Sequence, residues 1–184
     1  MSGTRDAKVR LMDATVELLR EGGVPAASPA AVAERAGAGK MSLYRHFAGK
    51  DELLAESLRA YVPVQKAGLL GPGDDGEPRE RVLAIFDRLE DWADEGVLSA
   101  CIYVTTRLEV ADAGHPVVQV AEDYKRELAE ALTEVLVEMG HPSPESIARV
   151  ISMLIDGAVI HSIITGSSQP ILDARGTVEM LLDR

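Results

Sequence analysis

Eight consecutive residues, Lys40 to Phe47, concentrate the side chains that bind nucleic acid: KMSLYRHF. Lys40 and Arg45 are cationic, Ser42 and Tyr44 bring hydroxyls, His46 an imidazole, and Met41 an apolar tip able to meet a thymine methyl. Together they can contact phosphates and the base edges of a major groove. Leu43 and Phe47 stand four residues apart, share one face of a helix and can pack on neighbouring helices. The other six residues are then expected on the face left free.

The elements that must position this face are legible just upstream. Ser28 followed by Pro29 is a helix start: the serine hydroxyl can accept a free backbone N–H, and proline at the first helical position loses nothing by lacking one. Residues 30 to 36, AAVAERA, are mostly good helix formers. Gly37 can take the left-handed conformation that ends the helix and turns the chain. Two short helices joined in this way form the frame of a helix-turn-helix. Before them, Val9, Met12, Val16 and Leu19 repeat at helical spacing until Gly22 and Gly23.

The stretch AERAGAGKMSLYRHFAGKDELL resembles the AERAGVSKGTLYRHFPSKEELL pattern of the TetR family of bacterial transcriptional regulators. The resemblance runs without a gap from Val9 to Leu54. It implies that Tyr44 and Lys50 grip phosphates, that Ser42 replaces the usual threonine, and that Lys40, Met41, Arg45 and His46 lie nearest the bases. Gly39 stands where serine is common at the start of the second helix, an acceptable cap at a cost of a few tenths of a kcal/mol. Ala30 and Ala31 occupy positions often basic or polar in relatives, so the first helix of the pair is expected to supply few base contacts. Val24 replaces the usual aromatic after the first helix as a smaller core plug.

The net charge of −11 is divided unevenly along the chain. Residues 1–66 hold ten Lys/Arg against eight Asp/Glu, whereas residues 67–184 hold nine against twenty-two. A locally basic end on an acidic body orients a molecule toward DNA. Arg5, Lys8 and Arg10 are additional phosphate candidates, and the later acidic residues read as a solvated helical surface. The single cysteine, Cys101, excludes an intrachain disulfide and suits a reducing cytoplasm. No run of eighteen apolar residues and no charged-then-apolar leader is present, so a soluble cytoplasmic protein without membrane association is expected.

The rest of the chain reads as helix almost throughout. A fourth helix is expected from Lys50 to Val62, ended by Pro63, with Asp51 and Glu52 well placed in its first turn. Gly68 to Pro78, GLLGPGDDGEP, reads as a flexible connection. Further helices are expected near 79–95, 97–111, 116–139, 144–165 and 170–183. The fold class is all-α, with a helix-turn-helix domain over 1–62 and a helical effector-binding and dimerisation domain over 63–184. The helix after Pro144 carries Ile147, Val150, Ile151, Leu154, Ile155, Ala158, Val159 and Ile163, an apolar surface that needs cover on more than one side. The family resemblance implies that the last two helices pair with their copies in a twofold dimer.

Effector sensing, also implied by the family, directs attention to polar and aromatic residues of the second part. Trp92, Cys101, Tyr103, Thr105, Tyr124, Met153 and Asp156 are the candidate ligand contacts, each equally readable as core. The Asp156 carboxylate, set in ISMLIDGAVIH, must find a partner, a ligand or solvent, and His161 reads as a packed or capping histidine. SACIYVTTRLEVADAGHP partly resembles the RGCPFVNAAAELPDPDHP stretch of one C-terminal subclass of the family, where Cys101 reads as a small buried residue. Glu109, Asp112 and His115 lie three apart, but Gly114 and Pro116 break the helix that would align them, and no metal or cofactor is expected.

The resemblance implies a homodimeric regulator, a repressor that leaves a near-palindromic double-stranded operator when a small molecule binds. The effector would shift the helix from Lys50 and so change the separation of the recognition helices. Control by a partner protein is the alternative. An enzyme is disfavoured because no nucleophile elbow, glycine-rich phosphate loop or acid–base constellation occurs.

Overall fold

The computed structural model describes residues 2–71 and 76–183, with side chains from residue 7 onward. The described residues form α1 (Ser2–Ala26), α2 (Pro29–Arg35), α3 (Lys40–His46), α4 (Lys50–Leu70), α5 (Pro78–Asp94), α6 (Ile102–Glu109), α7 (Pro116–Glu138), α8 (Pro144–Thr165) and α9 (Gln169–Leu182). No strand occurs among them. The chain divides into two compact units.

The first unit comprises Met1–Val62 and Cys101–Asp123. Besides the first 62 residues it takes in α6 and the start of α7, which return to it from later in the chain. The helix of α1 breaks at Gly22 and at Gly23, whose φ of +67° is left-handed. Ser28 Oγ accepts the Ala31 N–H at 3.2 Å, with Pro29 in the first turn. Gly37, at φ +58°, then turns the chain. Leu11, Val32, Leu43, Phe47, Leu54 and Leu58 are buried together with Ile102 and Tyr103 of α6. The Tyr103 hydroxyl donates to the Leu58 carbonyl at 2.9 Å, fixing α6 on the first part of α4.

The second unit comprises Pro63–Ala100 and Tyr124–Arg184. Its core joins Phe86 and Leu89 of α5, Leu132 and Leu136 of α7, Ile151 and Ile155 of α8, and Ile171 and Val178 of α9. Each such side chain contributes about 1.5–3 kcal/mol on burial, so the four helices are held by their apolar stripes. By length and composition α8 is apolar enough to cross a membrane. It packs instead on α9 and α5, and one face carries Asp156.

Two helix boundaries differ from expectation. α4 does not stop at Val62 but continues through Pro63 to Leu70. Pro63 is exposed, so the Arg59 carbonyl it leaves unpaired can meet water, while Leu69 one turn and a half later is buried in the second core. Arg88 of α5 donates from Nε (3.0 Å) and Nη2 (2.7 Å) to the Leu69 carbonyl, closing that end, and burial lowers the Arg88 pKa from its usual value. The connection therefore begins at Gly71 rather than Gly68, and its middle lies outside the described residues. The helix expected over 97–111 starts only at Ile102. The N–H groups of Val97 and Leu98 both turn back to the Trp92 carbonyl at 2.9 Å, which closes α5 and leaves 97–101 without helical pairing.

Candidate nucleic-acid interface

α3 is seated by Leu43 and Phe47, which are 0% and 2% exposed and face α1 and α2. Opposite them, Met41 is 75% and Tyr44 46% exposed, and Lys40 and Arg45 are also exposed. Residues 40, 41, 44 and 45 are related by one helical turn and are contiguous on the surface. Neither cation has a side-chain partner among the described residues. Gly39 caps the helix by backbone alone, leaving open space where a side chain would stand.

Two residues expected on the free face lie at its flank. Ser42 is only 9% exposed, because it shares the inner side of the helix with Leu43. His46, one turn later on the same flank, is half-buried, with Nε2 enclosed and lacking a hydrogen-bond partner. Its ring meets Phe47 edge-on at 6.3 Å. The fully free face thus narrows to Lys40, Met41, Tyr44 and Arg45.

The remaining cationic candidates are engaged within the unit. Lys50 Nζ donates to the Val24 carbonyl at 2.8 Å. Since an ammonium has three donors, this bond holds the group in place without using it up. Lys8 pairs with Glu56 at 2.6 Å and lies 5.2 Å over the Phe47 ring. Arg10 Nε donates to the Ala36 carbonyl at 3.2 Å, where α2 ends. Arg5 lies outside the described side chains. Arg35 forks onto Glu21 with two bonds of 2.8 Å and also reaches Glu17, which raises its own pKa further and lowers that of Glu21. These cations brace the helices.

Glu109, Asp112 and His115 do not converge. Glu109 accepts from the Val24 N–H at 2.5 Å, Asp112 from the Gly114 N–H at 2.9 Å, and His115 Nε2 sits 3.2 Å from Asp51. Among the described residues no group of His, Cys, Asp or Glu could hold a metal ion. The Glu109 contact escapes sequence reasoning because 85 residues separate the partners.

The seven candidate effector contacts fall in both units. In the first, Cys101 precedes α6, Tyr103 is fully buried, and the Thr105 hydroxyl donates to the carbonyls of Cys101 (3.3 Å) and Ile102 (3.2 Å). In the second, Trp92 packs against the core and Tyr124 is buried. Asp156 finds its partner in Lys125, whose Nζ is 2.6 Å from both carboxylate oxygens. Met153 is 64% exposed on an open groove of about 460 Å³ between α8 and α9, with His161 and Asp173. A cleft of about 520 Å³ beside α5 and α7, floored by Val82, Ile85 and Leu132, includes none of the seven.

A short helix held by its apolar stripe, uncovered on a cationic and aromatic face and preceded by a glycine turn, defines a helix-turn-helix DNA-binding protein. Comparison with known proteins agrees. Residues 11–57 match the bacterial regulatory proteins of the tetR family, and residues 78–177 match the C-terminal domain of LmrA/YxaF-like transcriptional regulators. The chain belongs to the TetR family of transcriptional regulators. It is similar to the HTH-type transcriptional repressor KstR of Rhodococcus jostii, 30% identical over 152 residues, covering 80% of this chain and 68% of that protein. Among solved structures, a tetR-type regulator from Streptomyces avermitilis is 31% identical, covers 96% of each chain and superposes with a TM-score of 0.79. The reduced form of NemR from Escherichia coli, 22% identical over 94% of this chain and 95% of that one, shares the fold at a TM-score of 0.83.

Proposed function

We propose that this chain is a homodimeric repressor that reads a palindromic operator through α3 and releases it when a small-molecule effector binds. The observation that carries the reading is the uncovered face of Lys40, Met41, Tyr44 and Arg45. Arg45, Lys40 and Met41 read base edges, while Tyr44 and Lys50 hold phosphates; Ser42 and His46 lie at the margin of the contact. Similarity to a named repressor supports the negative sign of regulation.

The apolar residues exposed on α8 and α9, among them Met153, Ile160, Ile164 and Met180, support pairing through these helices. Two copies place their recognition helices about one turn of DNA apart, ~34 Å. Effector binding and dimerisation fall to residues 63–184, of which 101–123 pack in the first unit, with Trp92, Cys101, Tyr103, Thr105, Tyr124, Met153 and Asp156 as the first residues to test. The protein acts in the cytoplasm and turns over no substrate.

The test is selection of binding sites from random DNA at about 150 mM salt, near-physiological ionic strength, with the wild type and Tyr44→Ala in parallel. An enriched palindrome that the variant fails to hold is expected. No enrichment by the wild type, with effector-free protein shown to be folded, contradicts the reading.

A further inference from the structure

Val24 is held from both sides. Its N–H donates to the Glu109 carboxylate at 2.5 Å, and its carbonyl accepts from Lys50 Nζ at 2.8 Å. Glu109 closes α6, Lys50 opens α4, and Val24 lies near the end of α1, directly after its break at Gly22 and Gly23. All three belong to the first unit. Gly23 makes the approach possible: at φ +67° it adopts a conformation that favours glycine, and a Cβ there would overlap the Glu109 carboxylate. His115 of the turn after α6 adds a contact to Asp51, the neighbour of Lys50.

We propose that Glu109 is a positioning residue for DNA binding, fixing Val24 so that its carbonyl seats the Lys50 ammonium for a phosphate. The proposal rests on the DNA-reading function above and deepens it. Two donors of the ammonium remain for the phosphate once Val24 has taken one. Glu109 touches no DNA itself and acts only through Val24.

Charge gives the proposal an unusual sign. Removing a carboxylate from a DNA-binding unit should by itself tighten binding to a polyanion. Glu109→Ala should instead weaken binding to the selected duplex by roughly fivefold, the worth of one net hydrogen bond, and lower the slope of log K against log salt by about 0.9. Glu109→Gln loses the same charge but keeps an acceptor for the Val24 N–H, and should bind at least as well as the wild type. In a Lys50→Met background, Glu109→Ala should cause no weakening.

The experiment is this double-variant cycle by fluorescence anisotropy over a salt series, with melting temperatures recorded for each protein. Equal weakening by Glu109→Ala in both backgrounds, or tighter binding with Lys50 present, overturns the proposal while leaving the DNA-reading function intact. A wild type that binds no duplex overturns both.

Discussion

Among the described residues, α3 and the α8–α9 pair expose surfaces of opposite chemistry. On α3 the exposed groups are Lys40, Met41, Tyr44 and Arg45, polar or cationic but for one thioether. On α8 and α9 they include Met153, Ile160, Ile163, Ile164, Leu172 and Met180, with Ile164 74% exposed. The first surface loses little by facing water and gains by meeting a polyanion. The second would gain most by covering itself, and a surface that two copies share is covered by symmetry. The contrast in polarity supports the proposed roles of the two faces, the first as a contact for DNA and the second as a contact between copies.

The largest effect that could break this contrast concerns the apolar face. Ile160→Asp with Ile164→Asp changes side chains that are already exposed, so the fold should survive. The pair should convert a dimer to a monomer in sedimentation and weaken operator binding on the order of 10²-fold or more, since half of the specific contacts would act alone. A dimer that persists unchanged would place the self-contact elsewhere.

Next in size is Arg45→Ala, expected to cost about 1–3 kcal/mol on the selected site and little on random DNA. Competition binding with both duplexes measures it. Equal losses on both would move Arg45 from base reading to phosphate contact.

The smallest effect sharpens the distinction between cations that brace the unit and those that face outward. Arg35 lowers the pKa of Glu21 through their paired hydrogen bonds. A carboxyl whose folded pKa is depressed adds stability above its unfolded pKa and loses it as pH falls through the folded one. Arg35→Ala should therefore lower the melting temperature slightly at neutral pH, with the difference vanishing in acid. A difference that persists in acid would show that Arg35 acts by packing.

Much of the first unit is local and so legible in sequence. Ser28, Pro29 and Gly37 act within one turn, and the four-residue spacing of Leu43 and Phe47 is enough to orient α3. What sequence reading misses depends on partners far along the chain. Lys50 meets Val24 from 26 residues away, and Asp156 is answered by Lys125 across 31. Periodicity gives the centre of a buried stripe better than its width, so it places Ser42 and His46 on the free face, whereas the structure sets them at its flank. Pro63 reads as a helix end by local rules, yet the burial of Leu69 draws the helix onward. The return of residues 101–123 to the first unit leaves no mark in composition at all. The effector contacts are the least legible part, since a cavity is a property of tertiary packing.

The proposed reading of a palindrome by a dimer is tested most directly by the affinity of the protein for its selected site as base pairs are inserted between the half-sites. If two α3 helices on one rigid dimer read one face of the duplex, about five inserted base pairs, half a helical turn, should remove most of the affinity. Affinity unchanged by that insertion would mean that the two recognition helices do not act as one reading head.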